Sequence, residues 1–589
     1  MAEELLLPAK KKIWRLHPNE PQASAVLAKA LGVNAIVAQL LINRRVSSPA
    51  EAKLFLDAPM SALHAPQLLP GVPEAAARVV QAIKAKEPIC IYGDYDVDGT
   101  TGTAILVGLL SRLGAVVTFY VPHRLDEGYG LNEAALRELA SQGVKMVITV
   151  DCGITGHKEA LVAKEIGLEL IVTDHHEMKP TLPEAMLVHP RLPGSAYPFH
   201  GLSGSCVAFK LAWAIGQAAN GGERVTPELR EFLLDAMGLA ALGLVADVMP
   251  LRDENRIFTR HGLRRLVKHP GLGVKALLDE AKLTDTVKAE DVSFKLGPRI
   301  NAAGRLGCAR LVVELLTTTN PRKAKELAEF LEKQNGDRQT LERRMTTQAK
   351  ELVEQQGYAE HAAIVVGSED WHQGVVGIVA GRLSDTFGKP ALVVSLKPND
   401  EPSSGSGRSF SGFALHTAMD QCSDLLESHG GHAAAVGFRV KPTNLEELRR
   451  RFCDVVQASC PDGPPPSYLE LDAEIPLASL NFPLLNDIDK LEPYGTDHPR
   501  PRFLATAVTI DGTPKRIGVG ERHLSFRVRQ GGTSIRAVAW GMGERIDELP
   551  KSGEPLCIAF TPKVNEWNGY RNVEMEVVDF QVGGVAQLG

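Results

Sequence analysis

The chain has 589 residues, 44% hydrophobic and 23% charged, with a formal net charge of −6 at pH 7. That length accommodates three or four domains with filled cores. The acidic balance excludes a protein that holds nucleic acid by overall charge, so any grip on a phosphate backbone must come from local basic patches or bridging metal ions.

Eight cysteines without a CxxC pair read as reduced core residues, not a disulfide framework. The start MAEELLLPAKKK has only a three-leucine run, and no stretch approaches the roughly 18 apolar residues of a membrane span. A cytoplasmic protein is expected. Residues 1–80 read as an N-terminal helical extension broken by Pro49, Pro59, Pro66, Pro70 and Pro73, without evident chemistry.

The stretch KEPICIYGDYDVDGTTG (86–102) opens the informative region. Its apolar run 88–92 reads as a buried strand, followed by Asp94, Asp96 and Asp98, a glycine turn at Gly99 and an apolar helix from about 101 to 113. In an extended strand tail alternate residues share a face, which predicts three converging carboxylates. Such a group needs a cation and suits Mg²⁺ or Mn²⁺. Taken alone, the motif equally fits a solvated or calcium-binding acidic loop.

Apolar strands at 89–92, 115–121, 145–150 and 169–173 alternate with amphipathic helices, which predicts an α/β fold with a doubly wound parallel sheet. Asp151 follows the third strand and Asp174-His175-His176 the fourth, so these groups fall with the first at the carboxyl edge where ligands bind. Asp247 ends the apolar run DAMGLAALGLVA; by itself it reads as a helix-terminal residue. Asp94, Asp96, Asp98, Asp151, His175 and Asp247 together suit a pair of divalent ions that activate water for in-line displacement at phosphorus. Asp151 is the expected bridging ligand. The loop 123–133, with Arg124 and Tyr129, reads first as a chain turn, and His157, His189 and His200 have no ligand-like spacing.

The motifs GDYDVDG, VDCG, TDHHE and LVADVMPL resemble, in order, those of the DHH phosphoesterases, most closely the RecJ family of single-strand-specific 5′→3′ DNA exonucleases. The resemblance implies that the six residues above bind the metals. It also implies that His176 contacts the scissile phosphate or assists the leaving oxygen, and that Asp174 orients the histidines. In 293–310 it implies that Asn301 and Arg305 hold the nucleic-acid backbone, while Cys308 departs from the family pattern.

Residues 320–357 read as one polar helix bridging two domains, interrupted at Asn335-Gly336, with Arg338 and Gln339 as candidate groove residues. AAIVVG at 362–367 opens a second α/β domain that resembles the DHH-associated domain. There Arg408 and Ser409 in a glycine-rich turn, with Gly430, Gly431 and His432 at a helix N-terminus, are expected to recognise a 5′-terminal phosphate.

A Pro-rich linker at 458–467 precedes five alternating strands, which predict an OB-type barrel. Arg502, Lys515, Arg516, Arg522, Arg527, Arg529 and Arg536, with Phe526 and Trp567 stacking on bases, would hold single strands, and Trp540 is assigned to the core. The expected domains are 1–80, 81–318 (DHH), 319–358 (connecting helix), 359–460 (DHH-associated) and 468–583 (OB-type).

The leading expectation is a metal-dependent exonuclease that degrades single-stranded DNA from the 5′ end to mononucleotides. By resemblance it would act in recombination and in DNA repair, including mismatch repair, as a monomer beside single-strand-binding protein and a helicase. The alternatives are a DHH phosphodiesterase acting on short oligonucleotides or other small phosphate substrates, and a non-catalytic DNA-binding scaffold.

Overall fold

A computed structural model describes residues 12–588 apart from Leu125, Asp462, Pro464, Ser552, Asn568 and the side chain of Trp567. The readings made on the first eleven residues and on Trp567 as a stacking residue lie outside the described residues.

The N-terminal segment holds β1 (Ile13–Leu16), α1 (Pro21–Leu31), α2 (Ala35–Asn43) and α3 (Pro49–Asp57). Proline opens α1 and α3, and the Asn34 and Ser48 side chains cap α2 and α3. The segment is not free-standing. Leu27, Val37, Leu40 and Leu41 share one core with Phe503 and Phe560 of the C-terminal barrel, and β1 pairs in parallel with the strand Tyr468–Leu471. By contrast α4 (Val72–Ala85) packs into the core of the first large sheet. The predicted extension over 1–80 is thus divided between two domains.

That sheet is built from β2 (Ile89–Gly93), α5 (Val97–Arg112), β3 (Val117–Tyr120), α6 (Glu133–Ser141), β4 (Met146–Val150), α7 (His157–Glu165), β5 (Glu169–Thr173) and β6 (Met186–Val188). Its order is β3-β2-β4-β5-β6 with every neighbouring pair parallel. All five positions of β2 and of β4 are buried, as strands covered on both faces require. From β2 the chain runs to β3 on one side and then to β4 on the other, so the switch point of the topology lies between β2 and β4.

Helices α8 (Gly204–Ala219), α9 (Pro227–Ala246) and α10 (Asp253–Lys268) complete this core. On α10 the buried Arg256 guanidinium donates to the carbonyls of Phe55 at 2.7 Å and of Leu491 and Glu492 at 2.9 Å. One side chain therefore ties the N-terminal segment, the parallel-sheet domain and the approach to the barrel together.

The helix Gly297–Arg305 follows a π-helical turn, Val292–Leu296, and leads to the long helix Pro321–Gln355. The long helix runs unbroken through Asn335 and Gly336. The predicted interruption is absent because Asn335 is buried and accepts a hydrogen bond from Arg338 within the helix at 2.6 Å.

Beyond it, β7 (Ile364–Ser368), β8 (Ala391–Ser395), β9 (Ser403–Arg408), β10 (Leu426–Gly431) and β11 (Ala435–Val440) form a mixed sheet of order β10-β11-β9-β8-β7. Two local expectations are corrected here. Arg408 ends a strand and is not in a turn, because the small side chains of SSGSGR let β9 pair with both β8 and β11. Gly430 and Gly431 end β10, and His432 follows in the β10–β11 hairpin, where no helix begins. Gly431 has φ +142°, and a Cβ there would lie 2.3 Å from the Ala435 carbonyl oxygen, so only glycine fits.

The last domain contains β12 (Tyr468–Leu471), β13 (Ala473–Glu474), β14 (Phe503–Ile510), β15 (Lys515–Ile517), β16 (His523–Gln530), β17 (Thr533–Ala539), β18 (Pro555–Trp567) and β19 (Tyr570–Val582). Strands run β13-β14-β18-β19-β17-β16-β15, and β14 pairs back to β16 to close the barrel. Phe526 and Trp540 exchange their expected places. The two-residue period of β16 turns Leu524, Phe526 and Val528 inward, leaving Phe526 3% exposed. Trp540 lies past the end of β17, 50% exposed, its ring edge-on to His523 at 4.8 Å.

Candidate metal centre

The carboxylates of the first motif converge for a different reason from the one the sequence suggested. The strand stops at Gly93, so no extended tail carries all three. Asp94 follows the strand, Asp96 caps α5 by accepting from the Gly99 amide at 3.0 Å, and Asp98 sits in the first helical turn. A helix N-terminus favours such charges. The turn divides the three between two groups whose ligand atoms lie within 4.8 Å of one another: Asp94, Asp96 and Asp151, and Asp98, His175 and Asp247. A third group, Asp151, His175 and His176, links them.

Asp151 leaves β4 with φ +65°, and Asp247 ends α9, directly before Val248 at φ +58°. Left-handed backbone at non-glycine positions costs energy and concentrates at functional sites, and for β-branched Val248 it is a true outlier. Two glycines permit the approach of neighbouring helices. A Cβ on Gly204 would lie 2.5 Å from the Asp151 Cβ, and one on Gly243 would lie 2.3 Å from Asp98 Oδ1.

His175 Nε2 lies 3.1 Å from Asp151 Oδ1, 3.5 Å from Asp247 Oδ2 and 3.9 Å from Asp98 Oδ2. Yet Asp94 Oδ1, Asp151 Oδ1 and His175 Nε2 are buried without a hydrogen-bond partner among the described residues. Burial first and neighbouring carboxylates second push Asp94 and Asp151 well above the usual carboxylate range, and push Asp247 up to about 8. Burial lowers His175 to about 4. Crowded acids and a neutral imidazole with orphaned atoms are the arrangement a divalent cation satisfies, and the oxygen-rich donor set fits Mg²⁺ or Mn²⁺.

Around this cluster stands a supporting set. Asp98 accepts from the Gly204 amide at 2.6 Å, the Ser205 amide at 3.1 Å and the Ser205 hydroxyl at 2.5 Å, which fixes its carboxylate. Asp174 accepts from the amides of His175, His176 and Ile154 and lies 2.7 Å from His176 Nδ1. Although burial opposes both shifts, this contact holds Asp174 down to about 2 and lifts His176 to about 9. Asp174 thus orients the His176 ring, whereas it meets His175 only through the backbone.

Tyr129, left in a turn by the sequence reading, places its hydroxyl 3.1 Å from His176 Nδ1 and donates to the Asp151 carbonyl at 3.0 Å. The Arg124 guanidinium lies 4.7 Å over the Tyr95 ring. Ser205 and Gly204 were missed altogether. Their one sequence signal is the Ser-Gly-Ser that caps α8.

Arg305 donates to the Gly374 carbonyl at 3.1 Å, and burial with neighbouring Arg124, Arg338 and Arg408 lowers it to about 10. Asn301, Arg305 and Arg338 line one cavity of about 240 Å³ with Val248, the residue after Asp247. Arg408, lowered by burial and by Arg124, donates to Ser406 Oγ and the Gly407 carbonyl. Ser409 lies against the hairpin of His432, its amide N–H donating to the Ala434 carbonyl at 3.1 Å, and its buried hydroxyl has no partner among the described residues.

A parallel sheet with a carboxylate–histidine cluster at its switch point, followed by a long helix and a mixed sheet, is the architecture of a DHH phosphoesterase. The DHH family N-terminal domain matches residues 88–240, the DHHA1 domain 360–458 and the RecJ OB domain 471–579. The single-stranded-DNA-specific exonuclease RecJ of Bacillus subtilis is 36% identical over 579 residues, which are 98% of this chain and 71% of that protein. The crystal structure of RecJ from Thermus thermophilus in complex with Mn²⁺ has a TM-score of 0.81 at 32% identity, covering 98% of this chain and 80% of that one. Its complex with Mg²⁺ gives 0.75 at 30%, covering 98% and 79%. The chain belongs to the RecJ family of single-stranded-DNA-specific exonucleases.

Proposed function

We propose that this enzyme hydrolyses single-stranded DNA from its 5′ end, releasing mononucleotides, with Mn²⁺ or Mg²⁺ held by Asp94, Asp96, Asp98, Asp151, His175 and Asp247. The observation that carries this reading is the group of buried, unpartnered ligand atoms on Asp94, Asp151 and His175 beside a cluster of arginines. Ions held there would generate a hydroxide-like water and neutralise charge developing on phosphate.

The chain's own residues do the rest. Asp151 belongs to both the carboxylate and the histidine groups, which suits a bridging ligand. His176, held by Asp174 and Tyr129, faces the phosphate or gives a proton to the leaving oxygen. Water adds at phosphorus, the P–O3′ bond breaks, and O3′ gains a proton in place of the one that water loses. Asn301 and Arg305 hold the backbone near the ligands. Arg408 and Ser409, with Gly431 and His432, receive the terminal phosphate, whose charge suits a guanidinium and a free hydroxyl.

Single-stranded DNA arises where strands are separated, so the reading places the enzyme in the cytoplasm in recombination and repair. There it works as a monomer supplied by a helicase and by single-strand-binding protein. Among the described residues no single helix is long and apolar enough to cross a membrane.

The test is digestion of a single strand labelled at its 5′ end with Mn²⁺ present. Immediate release of labelled mononucleotide supports the reading. Label retained while the strand shortens from the other end contradicts its polarity. Arg408→Ala is expected to slow cutting of 5′-phosphorylated strands about tenfold more than of 5′-hydroxyl strands.

A further inference from the structure

Arg305 ends the helix Gly297–Arg305 and Arg408 ends β9 of the mixed sheet, yet both meet the start of one helix, Val376–Phe387. The turn before that helix holds Arg305. The Gly374 carbonyl accepts from its guanidinium at 3.1 Å, and the Gly374 amide donates to His372 Nδ1 at 3.1 Å. A Cβ on Gly374 would lie 2.3 Å from the Arg305 carbonyl oxygen, so the two segments can approach only at glycine. On the other side of Arg305, a Cβ on Gly304 would lie 2.5 Å from the carbonyl oxygen of Tyr95, which stands between Asp94 and Asp96. The first turn of the helix meets β9: a Cβ on Gly377 would lie 3.0 Å from Ser406 Oγ and 3.2 Å from Arg408 Nη2. Ile378, one residue on, lines the cavity of Asn301 and Arg305. Close backbone contacts thus run from the first carboxylates, through Arg305 and this helix, to Arg408.

The helix is also tied sideways to the long helix Pro321–Gln355. Met345 and Ala349 share a core with Val379 and Leu383. Beside that core stands one buried carboxylate. Glu342, 7% exposed, accepts from Arg338 at 2.6 Å and from Arg382 of the shorter helix at 3.1 Å. Arg338 in turn lines the cavity of Asn301 and Arg305. Apolar packing has no direction of its own, whereas a carboxylate shared by two guanidiniums fixes direction as well as distance.

We propose that these contacts set the length of the excised product. The helix Val376–Phe387 is the spacer between the carboxylate–histidine cluster and the terminal-phosphate site at Arg408, and Gly374 and Glu342 are its positioning residues. A strand whose 5′ phosphate sits at Arg408 then presents its first phosphodiester to the cluster, and no later one. The inference rests on the proposed function and deepens it, by assigning the one-nucleotide step to residues that belong to neither site.

The test digests a single strand radiolabelled at its 5′ phosphate, in a single turnover with Mn²⁺, and resolves the labelled products by length. The wild type is expected to yield labelled mononucleotide. Gly374→Ala and Glu342→Gln are each expected to raise the ratio of labelled dinucleotide to mononucleotide about tenfold, together with slower cutting. Arg382→Ala should raise it about threefold, since that pair is partly open to water. The Arg382 side chain is 61% exposed, so this variant keeps its packing even if the other two fail to fold. A loss of fold or of general activity slows every product alike and leaves the ratio unchanged. Mononucleotide as the sole labelled product of Arg382→Ala and of every other variant that folds, at whatever rate, would overturn the spacer. A wild type that releases no labelled mononucleotide overturns the underlying reading instead.

Discussion

At the sheet edge Asp94, Asp151 and His175 are buried with polar atoms that have no hydrogen-bond partner among the described residues. On the barrel the basic side chains stand largely in solvent, and several already have acids nearby. Arg529 meets Asp511 and Arg536 meets Glu574 at 2.8 Å, and Arg516 lies 3.9 Å from Asp547. The first region crowds buried acids that a cation would stabilise, which suits chemistry that needs fixed geometry. The second is screened by water and partly neutralised in advance, which suits reversible binding that salt can loosen.

The contrast is sharpest inside the barrel itself, between its core and its surface aromatics. Phe526→Ala empties a packed position and is expected to cost about 4 kcal/mol, read as a lower urea midpoint. Trp540→Ala should leave that midpoint within about 0.5 kcal/mol. A barrel that tolerates loss of Phe526 but not of Trp540 would reverse the assignment.

The metal cluster should reveal its cost through pH. Asp247 titrates near 8 in the folded, metal-free protein, above its ordinary 3.8. The stability this group contributes is complete below its unfolded pKa and is lost as pH rises through 8. The metal-free protein should therefore weaken between about pH 4 and 8, by at most about 1.4 kcal/mol per pH unit from this group. Thermal melts in EDTA and in Mn²⁺ should diverge more at pH 8 than at pH 6. Parallel curves would mean that the acids do not repel one another.

The barrel surface should respond more gently. Trp540→Ala is expected to weaken long single strands by about 1 kcal/mol, if bases stack there. Arg529→Ala should shift affinity still less, because Asp511 already holds that guanidinium. Filter binding across a salt series separates the two, and a large loss at Arg529 would contradict the idea of a neutralised surface.

Much of the site was legible because a parallel sheet delivers every strand end to one edge. Asp94, Asp151 and His175 could be placed from strand periodicity alone. The alternation argument for Asp96 and Asp98 failed because α5, capped by the Asp96 side chain, begins at Val97, about four residues earlier than expected. Ser205 and Gly204 escaped notice because their contact with Asp98 spans more than a hundred residues. The glycine hairpin at Gly431 looked like a helix start because glycine-rich sequence does not declare which turn it makes. Trp540 and Phe526 changed places because the period of β16 turns Phe526 inward while Trp540 falls one residue beyond the end of β17. The N-terminal segment's attachment to the barrel has no local signal, since β1 finds its partner strand more than four hundred residues away.

The most direct test of the central claim is the Asp151→Ala variant, assayed for Mn²⁺ binding by calorimetry and for strand hydrolysis at saturating Mn²⁺. The account predicts that hydrolysis falls by at least about a thousandfold. It also predicts that Mn²⁺ binding is lost at one site or more, while single strands still bind through the rest of the protein. Near-wild-type hydrolysis in that variant would contradict a metal centre organised around Asp151.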